Sequence, residues 1–188
     1  MAVDLPEMHA AALDHTRRTV AGIVDEQWHL DTPCAEWDVQ ALLQHVVSGN
    51  LWVPELTSGR TIEEVGDALD GDVLGNDPLA AYDASAAGAA AAFRTDGVMD
   101  APVGVSYGPV PGSVYCGHRF IDVLIHGWDL AYATRQDGNL PEDLIDACWA
   151  VVEPQRDDLA GSGAFATVAI PDDGDLQTKL LAVLGRSE

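Results

Sequence analysis

Residues 119–131, RFIDVLIHGWDLA, constrain the fold more than any other stretch, because they read as a helix that is apolar on nearly every side. Phe120, Ile121, Val123, Leu124, Ile125, Trp128 and Leu130 surround the axis, and a helix apolar all round belongs at the centre of a bundle. That helix nevertheless carries Asp122 and His126, one turn apart. A buried carboxylate is costly unless it pairs, binds a metal or takes up a proton.

Other segments supply helices to surround it. Residues 7–26 place Ala11, Leu13, Val20, Ile23 and Val24 at helical spacing, which predicts a first helix broken by WHLDTPC. Asp38 is an N-cap for a second helix over about 38–55, with Trp37 before it positioned to staple onto Leu42. A short helix is expected near 61–69 in an otherwise loop-like segment. Asp77 and Pro78 open a helix through the Ala-rich run DPLAAYDASAAGAAAAFR, whose small side chains let a neighbour approach closely. APVGVSYGPVPGS is punctuated by Gly and Pro and predicts a pair of short extended segments. Ser113 can then cap the central helix over 114–136, stopped near Gly138. A further helix is expected over 141–158, then a strand-like ATVAI and the tail LQTKLLAVLGRSE.

Four long helices with short connections predict an all-α protein, a four-helix bundle with a short irregular or β segment before its fourth helix. No repeat or long linker divides the chain, so residues 1–188 are read as one domain. Thirty-one acidic residues against nine basic ones give a net charge of −22, which repels phosphate backbones and anionic lipid surfaces. Nucleic acid and membrane are therefore not expected partners. Three widely spaced cysteines without a C-x-x-C pair, no signal-peptide pattern and no membrane-length apolar run predict a cytoplasmic protein.

Bundle sites are built inward from facing helices. Asp122 and His126, four residues apart at about 1.5 Å rise, lie roughly 6 Å apart along one face, which a single ion can bridge. His45, in ALLQHVV, sits at the edge of the second helix's apolar stripe. Two histidines and a carboxylate leave coordination positions open, as in catalytic zinc sites, although the same set describes a facial-triad Fe(II) site. The bland reading stands beside this one: a single His on an apolar face is more often a hydrogen-bonded core residue, and an i, i+4 Asp–His pair can be a plain intrahelical bond. His118, one turn before Asp122, could be a ligand, a partner of a ligand or a proton shuttle. Arg119, Asp129 and Arg135 read as solvated or helix-end groups. Cys34 reads as a small buried hydrophobe, and Cys116 lacks a helper that would make it a nucleophile.

The segments TPCAEWDVQALLQHVV, YGPVPGS, DVLIHGWDLAYATRQDG and LLAVLGR resemble the DinB-like proteins of the mycothiol-dependent maleylpyruvate isomerase N-terminal domain family. The resemblance runs in order from about residue 30 to the C-terminus. It implies a DinB-like four-helix bundle holding a divalent metal, usually zinc, on His45, Asp122 and His126. It also implies mycothiol, the small thiol of actinobacteria, as cosubstrate, and a thiol S-transferase or isomerase acting on a small electrophile. His118 is the candidate catalytic proton acceptor. Two other classes stay open: a metal-dependent lyase, cyclase or hydrolase without a thiol, and a non-catalytic bundle that binds metal or ligand. A homodimer is compatible with all three.

Overall fold

The structure, a computed structural model, describes residues 3–157, 166, 168–171 and 173–186. The chain divides into two compact units, residues 4–137 and residues 1–3 with 138–188.

The larger unit opens with α1, Leu5–Ala21, whose first turn is capped by Asp4 accepting from the Glu7 N–H at 3.3 Å. The helix stops five residues short of the expected 26. Gln136 donates its amide to the Thr19 carbonyl at 2.9 Å, satisfying the helix end, and a Cβ on Gly22 would lie 2.3 Å from the Gln136 Oε1. The chain then turns through a short 3-10 segment, Asp25–Gln27.

α2, Val39–Thr57, begins where expected, with Asp38 accepting from the Ala41 N–H at 2.9 Å. The short α3, Ile62–Val65, carries a capping box between Thr61 and Glu64. α4, Pro78–Phe93, is opened by Asp77 on the Ala80 N–H at 3.0 Å. An antiparallel hairpin follows, β1 Pro102–Val105 against β2 Gly108–Pro111, paired from Pro102 opposite Pro111 to Val105 opposite Gly108.

α5, Gly112–Thr134, leaves β2 without a break and without the expected Ser113 cap. Its first N–H groups are satisfied by backbone instead: Gly112 donates to the Ala101 carbonyl at 2.9 Å and Ser113 to the Met99 carbonyl at 2.8 Å. Only glycine fits at 112, since a Cβ there would lie 2.0 Å from the Val98 oxygen. The helix ends at Arg135, which takes a left-handed conformation with φ 58°.

In this unit α1 packs on α4 and α5, and α2 packs on the same two helices. The four long helices therefore close a ring, the DinB-like bundle expected, with the hairpin before its fourth helix. The ring is locked by contacts that need small residues. Gly127 of α5 faces Thr16 of α1, where a Cβ would come within 2.2 Å of the hydroxyl oxygen, and that hydroxyl donates to the Val123 carbonyl at 3.1 Å. Tyr82 of α4 donates to the Leu13 carbonyl of α1 at 2.9 Å.

The smaller unit holds α6, Glu142–Val152, packed on α7, Leu176–Val183. Gln177 links the two ends, accepting from the Leu140 N–H at 2.8 Å and donating to the Gly138 carbonyl at 3.0 Å. α6 ends before the expected 158, because Pro154 removes a helical donor and the chain passes into a 3-10 segment at Glu153–Gln155. Of the strand-like ATVAI, residues 166 and 168–170 have no regular structure, and Thr167 lies outside the described residues. Among the described residues no helix is long and apolar enough to cross a membrane.

Candidate metal centre

Two helices and one loop build the site. α2 delivers His45, α5 delivers Arg119, Asp122, His126 and Asp129, and the loop before α2 delivers Cys34 and Trp37. That loop is held by Thr32, whose hydroxyl donates to the Trp37 carbonyl at 2.7 Å and accepts from the Cys34 N–H at 3.1 Å. It is closed at its base by a bridge between Asp31 and Asp38.

Of the residues expected at the site, His45, Asp122 and His126 meet. Asp122 Oδ1 lies 3.2 Å from His45 Nε2 and 3.5 Å from His126 Nε2, and the three donor atoms all fall within 4.8 Å of one another. Ligand atoms around a tetrahedral zinc with bonds near 2.0 Å lie about 3.3 Å apart. The two imidazoles stand almost perpendicular, 83° with centroids 5.0 Å apart, so both lone pairs can aim at one point. Trp37 stacks on His45 at 4.5 Å and meets His126 edge-on at 5.9 Å, forming an apolar wall.

The fourth expected residue, His118, is not part of this group. It lies one turn earlier on α5, and its Nδ1 is 2.5 Å from the hydroxyl of Tyr107 at the hairpin tip. Burial lowers the His118 pKa and raises that of Tyr107, so the pair is an imidazole and a phenol rather than an ion pair at neutral pH.

Three residues read from the sequence as incidental are in the site. Arg119 is 7% exposed and is no solvated group: its Nη1 lies 2.8 Å from Asp122 Oδ2 and its Nη2 3.1 Å from Asn50 Oδ1. α2 makes room for it at Gly49, where a Cβ would lie 2.2 Å from that same Nη1. Asp129 is fully buried and is likewise no solvated group; its Oδ2 lies 3.0 Å from His126 Nδ1. Cys34 Sγ donates to the same oxygen at 3.3 Å. A signal for the first two existed in the sequence: a charge inside a helix that is apolar all round must have a partner, and Arg119 and Asp129 lie at i−3 from Asp122 and i+3 from His126.

The electrostatics follow from these contacts. Burial disfavours charge on Asp122, but Arg119 and the two histidines outweigh it and hold the carboxyl well below its usual range. Burial also disfavours charge on His126, and Asp122, Asp129 and Cys34 outweigh it, so that its pKa lies well above 6.5. Without a cation the ring is thus an imidazolium between two carboxylates. Were a cation held on Nε2, His126 would keep its remaining proton on Nδ1, where Asp129 accepts it, the carboxylate–histidine arrangement that orients metal-binding imidazoles. The residues fit a divalent cation by donor type, convergence and support.

The sequence model of the mycothiol maleylpyruvate isomerase N-terminal domain family matches residues 9–131, a segment that contains every residue of this site. The chain belongs to that family. Two uncharacterized proteins from two strains of Mycobacterium tuberculosis are 35% identical over 155 residues, covering 78% of this chain and 79% of theirs. The fold is similar to the crystal structure of a histidine-to-alanine mutant of the mycothiol-dependent maleylpyruvate isomerase. That match has a TM-score of 0.64 at 17% identity and covers 90% of this chain and 75% of that one. Membership of this family relates the chain to mycothiol-dependent isomerases.

Proposed function

We propose that this protein is a divalent-metal-dependent enzyme, with zinc as its ion, that transfers or isomerises a small electrophile with the help of mycothiol. His45, Asp122 and His126 are the ligands. The observation that carries the reading is the convergence of His45 Nε2, Asp122 Oδ1 and His126 Nε2 on one point, with the two remaining polar ends of Asp122 and His126 held by Arg119 and Asp129. Family membership supports mycothiol as the thiol, and the mycobacterial relatives agree with it.

Zinc bound there supplies an electrostatic environment in which a thiol is deprotonated and nucleophilic at neutral pH. The protein's own residues prepare the place. Arg119 holds Asp122 Oδ2, so that Oδ1 turns toward the histidines. Asp129 holds His126 Nδ1–H and leaves Nε2 with its lone pair. Trp37 shields one side of both imidazoles from water. His118, kept neutral by burial and held at Nδ1 by the Tyr107 hydroxyl, is the residue to which we assign acceptance of the proton from the incoming thiol or substrate.

The protein has no need of a nucleophile of its own. Cys116 and Cys148 are unsuited to that role, since burial pushes both thiols up to about 12. The test is turnover of mycothiol with a panel of small electrophiles, on protein stripped of metal and on the same protein reloaded with zinc. Thiol-dependent turnover that appears only after reloading is the expected result. Turnover that needs metal but ignores the thiol would point to a lyase, cyclase or hydrolase.

A further inference from the structure

We propose that Cys34, Asp129 and His126 Nδ1 form a second cation site, selective for thiophilic ions, that shares His126 with the first and competes with it. Cys34 Sγ lies 3.8 Å from His126 Nδ1 and 3.3 Å from Asp129 Oδ2, and His126 Nδ1 lies 3.0 Å from that oxygen. Sulfur, nitrogen and oxygen ligands around one tetrahedral zinc-sized ion are separated by about 3.6 Å (S to N), 3.5 Å (S to O) and 3.3 Å (N to O). The triangle in the protein departs from those edges by only a few tenths of an ångström, so an ion can enter without moving the backbone. Asp129 is fully buried and Cys34 is half-buried.

The two sites differ in chemistry. The first offers two imidazoles and a carboxylate, and the second replaces an imidazole with a thiolate, which favours softer ions. They also exclude each other. The neutral His126 ring has one proton, and an ion on Nε2 leaves that proton on Nδ1, facing Asp129. An ion on Nδ1 leaves it on Nε2, facing Asp122 at 3.5 Å. A carboxylate acceptor therefore waits on either side, and the ring can serve either site but not both without losing its last proton. Occupation of the second site also releases the Cys34 thiol proton to solvent, because the thiolate is the ligand.

The experiment titrates metal-free protein with Cd2+ and reads the ultraviolet sulfur-to-metal charge-transfer band, which the first site cannot produce because it contains no sulfur. Wild type should show the band at one equivalent. His45→Ala, which breaks only the first site, should keep it, and Cys34→Ser should lose it while retaining its helical circular dichroism. Zinc-loaded wild type should develop the band only as zinc is released. The proposal is overturned by a wild type without the band, by a band that survives Cys34→Ser, or by one lost in a folded His45→Ala. Zinc retained beside a fully developed band overturns the competition. Zinc content of Cys34→Ser reports on the first site separately, so its failure and the failure of the second are told apart.

Discussion

Arg119 Nη1 lies 2.8 Å from Asp122 Oδ2, on the carboxylate oxygen opposite the one that faces His45 and His126. The carboxylate in the middle of this helix is therefore not waiting for an ion to neutralise it. It is already paired, and the pairing sets which oxygen it presents. Arg119→Met should cost about 2–3 kcal/mol, below the range for a fully buried pair because Asp122 keeps 26% of its side-chain surface exposed. Metal affinity should fall about 10- to 100-fold as Asp122 loses its support. Chemical denaturation and metal titration check the two numbers. Asp122→Asn leaves Arg119 without its carboxylate and should weaken both stability and metal binding; unchanged metal affinity in that variant would remove Asp122 from the ligand set.

Gly49 makes the same point from the other helix. A methyl group there would lie 2.2 Å from Arg119 Nη1, so Gly49→Ala must displace the guanidinium. The expected loss is about 1–2 kcal/mol, typical of overpacking a core, together with weaker metal binding. If Gly49→Ala lowers stability and leaves metal affinity untouched, Arg119 is structural only.

His45→Ala and His126→Ala should each remove the metal and keep most of the helical signal, because the bundle core stands apart from the ion. Elemental analysis beside circular dichroism is the measurement, and full metal in both variants would refute the assignment. Since His126 is protonated up to well above 6.5 without a cation, metal must displace a proton from it. Wild-type affinity should therefore rise with pH and level off above that raised pKa.

Tyr107 is 64% exposed and its change should hardly touch the fold. Tyr107→Phe removes the hydroxyl that holds His118 Nδ1 and should lower kcat by about tenfold, with the acid limb of the pH profile displaced. His118→Ala should lower it further, by about 100-fold. Equal pH profiles for Tyr107→Phe and wild type would show that the pair takes no part in proton transfer.

His9 is fully buried in α1, and neither ring nitrogen has a hydrogen-bond partner among the described residues. Burial, aided by Arg119 and Arg94, lowers its pKa from 6.5 to about 3. In the unfolded chain the ring takes up a proton near 6.5, whereas the folded ring does not until about 3. Its contribution to stability is thus full above 6.5 and is lost as pH falls through that window, with a slope approaching about 1.4 kcal/mol per pH unit. His9→Leu should flatten this part of the stability profile. The same acid sensitivity in His9→Leu and wild type would assign the effect elsewhere.

The helix starts at Asp38 and Asp77 were legible in the sequence, because a cap is a bond between a side chain and an N–H three residues on, whereas the Asp4 cap of α1 came only with the structure. So was the all-round apolar helix with Asp122 and His126 on one face, a matter of 3.6 residues per turn. Only the tertiary structure decided that His45 Nε2 lies 3.2 Å from Asp122, that Arg119 reaches across to Asn50, and that Cys34 and Asp129 share His126. Those contacts depend on how each helix is rotated about its own axis and how closely it meets its neighbour. That is settled by small residues at the helix contacts such as Gly49 and Gly127, and by backbone bonds such as those that start α5 without a side-chain cap. Periodicity tells which face of a helix is buried; the packing of one helix on another determines which polar groups on those faces touch.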